Sequence, residues 1–76
     1  MSQVDIIQKA QDIAHIAMEK MKYAIKMAQM ADKPDTLLNL KEYYINKATN
    51  AKNEFESFMD KIKEMIEKAE NMDTEE

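Results

Sequence analysis

Few residues in this chain can do covalent or metal chemistry. His15 is the only histidine, standing three residues after Asp12 and four before Glu19. On a helix that spacing turns all three side chains toward one side, and a carboxylate–imidazole metal site could be drawn from them. Helical centres of that kind collect ligands from several helices, and the rest of the chain supplies no second histidine. The three residues also share a polar strip with Asp5, Gln8, Lys22, Lys26 and Gln29, so a solvated face is expected and no metal or cofactor is assigned. With no cysteine and no loop on which acid and base partners could converge, nucleophilic catalysis has less support still, and the expectation is a non-enzyme.

Recognition chemistry is better represented. Eight methionines in 76 residues make an adaptable, polarizable surface where they are not filling gaps in a core. Tyr23, Tyr43 and Tyr44 add apolar rings with polar tips, a mixture suited to interfaces. Tyr44 is expected in the core. The partner-contact residues expected from the sequence are Ile16, Met18, Tyr23, Met27, Met30, Tyr43, Met65, Ile66 and Met72.

These side chains must be positioned by helices. Zero Gly, one Pro and 34% charged residues leave little scope for strands or phosphate-cradling loops. All eleven basic residues are Lys, against fifteen acids, for a net charge of -4. Without Arg, and with net negative charge, a nucleic-acid binder is not expected. Residues 1–33 carry five Lys and four acids, whereas residues 34–76 carry six Lys and eleven acids, so the negative charge sits in the second half. No long apolar run and no basic-then-apolar leader is present, so neither a membrane partner nor export is expected and a cytoplasmic location is the default.

Ser2 followed by Asp5 has the form of a capping box that opens a first helix near Gln3. From there Ile7, Ala10, Ala14, Ala17, Met21, Ala24, Ala28 and Ala31 keep a 3,4 alternation, a heptad seam made mostly of Ala. Pro34 ends it, and a turn over 32–35 with Asp32 or Asp35 as cap leads into a second helix over about 35–71. Leu37, Lys41, Tyr44, Ala48, Ala51, Phe55, Phe58, Ile62, Met65, Ala69 and Met72 form the second seam. The expected fold is all-α: one antiparallel two-helix hairpin over residues 1–72, dimerising into a four-helix bundle, with residues 73–76 as an acidic frayed tail. A turn that short sets opposed residue numbers to add to about 66, with Ala14 and Ala17 facing Ala51 and Ala48.

The first helix is apolar at five of its seven heptad positions, more than one neighbour can cover. The second helix should overhang it by roughly 10 Å, leaving Met65, Ile66, Ala69 and Met72 in water. Both surfaces call for a partner, and a homodimer is the simplest, with another protein as the other choice.

A helical hairpin with Pro at the turn, then Leu37, Leu38, Leu40, Tyr43 and Tyr44, and later Asp60, Lys61 and Ile62, resembles type III secretion needle subunits. That resemblance implies a secretion-related subunit or small chaperone, although needle subunits end in an apolar segment and this chain ends in acids. In architecture alone the hairpin is similar to Rop-type dimers, whose basic RNA-binding face it lacks. The function expected first is a small acidic, Met-rich interaction module, an adaptor or regulator. The alternatives are an acidic decoy that inhibits a nucleic-acid-binding enzyme and the secretion-related subunit.

Overall fold

The computed structural model describes residues 2–74. They form two helices, α1 (Gln3–Asp32) and α2 (Leu38–Thr74), and no strand is found among them. The two lie antiparallel in a rod of 60 × 14 × 14 Å, an all-α hairpin as the composition requires.

Ser2 caps α1 from an extended backbone conformation, its Oγ accepting from the Asp5 amide at 3.2 Å. At the other end, the connection differs from expectation. It runs over residues 33–37, and α2 begins at Leu38, three residues later than the sequence suggests. Pro34 and Asp35 sit at the centre of a turn closed by the Thr36 amide donating to the Lys33 carbonyl at 3.1 Å, so neither starts a helix. The Thr36 hydroxyl donates backwards to the Met30 carbonyl at 2.8 Å, satisfying a C-terminal group of α1. The first acceptor of α2 is then the Leu37 carbonyl, bonded by the Lys41 amide at 2.9 Å. At its far end α2 continues through Asp73 and Thr74, where a frayed tail was expected; Glu75 and Glu76 lie outside the described residues.

The longer connection shifts the register. Gln3 Nε2 donates to the Ala69 carbonyl at 3.0 Å and Lys20 Nζ meets Glu54 at 2.7 Å, so opposed residue numbers add to 72 and 74, not 66. Ala17 therefore stands level with residues 55–57, and the expected Ala14/Ala17 against Ala48/Ala51 waist does not form. The overhang shortens for the same reason: residues 70–74 still run past Gln3, but Ala69 is buried and Met65 and Met72 are half-buried.

The seam of α2 matches the sequence series from Lys41 to Met72, each member buried or half-buried; Leu37 precedes the helix and is exposed. In α1 the row Ala10, Ala17, Ala24 and Ala31 is buried as expected, but beside it Ile6 and Met27 are buried while Ile7 and Ala28 of the expected second row are exposed; between them Ile13, Ala14, Lys20 and Met21 are all half-buried. The helix is thus rotated about its axis from the expected setting. Ile6, Ile13 and Met27 bring more apolar surface to α2 than the Ala-containing alternative, and Lys20 lays its stem along the seam with its ammonium on Glu54. Among the described residues nine are buried, and six of these are Ala, leaving Ile6, Met27 and Ile62 as the larger members. At roughly 1.5–3 kcal/mol each, those three are a thin source of stability for a chain of this length.

Candidate functional site

Rotation of α1 decides what the hairpin shows to its surroundings. With Ala10 and Ile6 inward, the positions flanking the seam on one side are Ile7, Ala14, Met21 and Ala28, and beyond them Val4, Met18 and Ile25. On the same side α2 presents Leu38, Ile45, Met59 and Ile66. Two shallow grooves confirm which flanks adjoin: one is lined by Met21, Ala24, Ile25 and Ala28 of α1 with Ala48, Thr49 and Lys52 of α2, the next by Ala28 and Asp32 with Ile45 and Thr49. At the observed register Ile7 is level with Ile66, Ala14 with Met59, Met21 with Lys52 and Ala28 with Ile45. Large therefore meets large at the open end of the rod, and small meets large twice along it.

This strip runs the length of the rod. Its large members, Val4, Ile7, Met18, Ile25, Leu38, Ile45, Met59 and Ile66, are exposed by between 44% and 76%. Lys52 is the one charge at a seam-flanking position of the strip, and its ammonium is held 3.8 Å from Glu56 one turn along α2.

The opposite flank carries most of the charged residues, with exposed apolar side chains scattered among them. Its groove is lined by Glu19, Lys20 and Tyr23 of α1 with Lys47, Asn50 and Glu54 of α2, and it holds the Lys20–Glu54 ion pair. Near the turn Tyr43 packs edge-on against Tyr44 with ring centres 5.5 Å apart, and Lys47 Nζ sits 5.5 Å from the Tyr43 ring centre.

The expected partner residues thus fall into three groups. Met18 and Ile66 lie on the apolar strip. Ile16, Tyr23 and Tyr43 are exposed on the opposite flank, with Met30 half-buried beside them. Met27 is a correction: at 8% exposure it is packed inside the hairpin, because the rotation that exposes Ile7 turns Met27 toward α2. Met65 and Met72 are half-buried in the seam, covered by the shifted register. Sequence reasoning left Val4, Ile7, Ile25, Leu38, Ile45 and Met59 out of the partner-contact residues. The signal that could have found them is Lys20: treating its long stem as seam material fixes the rotation of α1.

Asp12, His15 and Glu19 are all exposed, and among the described residues no three His, Cys, Asp or Glu side chains are grouped to hold a metal ion. No helix among these residues is long and apolar enough to cross a membrane. No family model, curated protein or solved structure matches this chain.

Proposed function

We propose that the chain is a non-enzymatic interaction module whose apolar strip docks against a polypeptide surface. The observation that carries this is the inversion of the usual burial. Three large apolar side chains are buried among the described residues, while thirteen are exposed, eight of them aligned on one face. A monomer rarely leaves so many large apolar side chains aligned on one face in water.

The acidic-decoy reading draws less support, since the acids of α2 alternate with lysines and two of them, Glu54 and Glu56, are already paired with Lys20 and Lys52. The test is sedimentation of the chain alone and in cell extract, beside an Ile25→Lys variant checked for helicity. The strip reading expects a particle heavier than 8.9 kDa in at least one condition, lost or weakened in the variant. A particle of 8.9 kDa in both conditions refutes it.

A further inference from the structure

Resting on that reading, we propose that the occupant of the strip is a second copy of this chain, and that α1 of each copy lies against α2 of the other. Size is the first argument. A folded monomer of 8.9 kDa is expected to expose about 4,800 Å². This hairpin exposes 5972 Å², an excess of about 1,150 Å². A stable interface of standard size takes about 800 Å² from each partner, so face-to-face pairing can absorb that excess. Shape agrees: the Cα radius of gyration is 17.3 Å, where a compact chain of this length has about 11 Å, and stacking two rods side by side thickens the particle without lengthening it.

Charge selects the arrangement. Two antiparallel hairpins can stack strip to strip with like helices in contact, or with unlike helices in contact. Like-on-like stacking sets the second halves, each with eleven acids and six Lys, against one another, and when the strips are centred it brings Glu56, already paired with Lys52, against its own copy. Unlike stacking sets each acidic α2 against α1, which with Lys33 carries five Lys and four acids. The outer row of α1 along the strip is Val4, Gln11, Met18 and Ile25, charged only at its Asp32 end, with His15 and Lys22 in the row behind. In unlike stacking Glu56 of the partner copy arrives level with residue 17, between His15 and Lys22, while at the turn end Glu42 of the partner copy comes level with Asp32. The two-fold axis then runs parallel to the helices, and every neighbouring pair of helices is antiparallel.

Because the chain has no cysteine, single cysteines report the geometry without background. Met18→Cys and Glu56→Cys stand at the same level on the outer rows of α1 and α2. In one hairpin they point away from each other on opposite rims of the strip, whereas unlike stacking brings Met18 of one copy over residue 56 of the next, within the Cα separation a disulfide needs. The two single-cysteine chains are mixed, oxidised and separated by mass, with far-ultraviolet circular dichroism as the folding control. The expected result is a mixed disulfide dimer formed in preference to either symmetric one, together with a sedimentation mass of the unmodified chain twice 8.9 kDa. Efficient self-linking of Met18→Cys overturns the arrangement, because it places α1 on α1. A monomeric mass at all concentrations overturns the second copy outright. Failure of the proposal stays separable from failure of the docking reading: a monomer that enters a heterologous complex abolished by Ile25→Lys keeps the strip as a docking face and removes the second copy.

Discussion

Replacing Ile62 and Ile66 by Ala, one at a time, separates what holds the hairpin from what the strip does. Ile62 is one of three large buried side chains, whereas Ile66, four residues on, is 44% exposed. Truncating a well-buried Ile to Ala costs about 2–5 kcal/mol. A 76-residue chain has about 4–11 kcal/mol in all, so Ile62→Ala removes a large share of the total. At about 4–8 °C per kcal/mol for this size, the melting temperature falls by at least about 8 °C. In an isolated hairpin Ile66→Ala forfeits only the buried part of its side chain, about 1 kcal/mol. In a strip-to-strip dimer it approaches the cost at Ile62, and its melting point depends on protein concentration. The assay is thermal unfolding followed by circular dichroism over a hundredfold range of concentration. A small loss at Ile62 refutes the seam placed here; a small, concentration-independent loss at Ile66 removes it from the interface.

Ala17 is 1% exposed where α1 approaches α2, so Ala17→Leu overpacks the seam and lowers stability by about 1–3 kcal/mol in urea unfolding. Thr36→Val deletes the 2.8 Å bond to the Met30 carbonyl and costs about 0.5–1.5 kcal/mol by the same assay, whereas Asp35→Ala, exposed in the turn, changes little. Glu54→Gln breaks a half-exposed ion pair with Lys20; the loss stays below about 1 kcal/mol and shrinks further as salt is added. Lys52→Met removes the charge at a seam-flanking position of the strip, and sedimentation should show tighter self-association of the folded chain.

The two-helix architecture and the seam of α2 were legible because α2 has a single apolar stripe, and Lys41 to Met72 admit one phase. The phase of α1 was not. Apolar residues occupy so many of its heptad positions that two settings fit equally well by pattern, and the correct one includes a lysine that reads as solvent-facing. Only the cross-helix partner Glu54 reveals that Lys20 belongs beside the seam, and that pairing depends on the register. The register in turn depended on whether Thr36 would open α2 or bond back to α1, a choice between two local hydrogen-bond patterns that composition does not resolve. The misplaced waist followed from the register, and the assignment of Met27 to the surface followed from the phase of α1.

The contacts that close the hairpin span very different lengths of chain: Thr36 reaches back six residues, whereas Gln3 must find Ala69 across 66. Tethering the second pair from the unfolded chain costs about 2 kcal/mol more loop entropy than the first. Assembly is therefore cheapest as a zipper that starts at the proline corner and runs outward, each turn of helix shortening the loop left for the next. The clasp at the mouth shuts last and, under thermal agitation, springs open first.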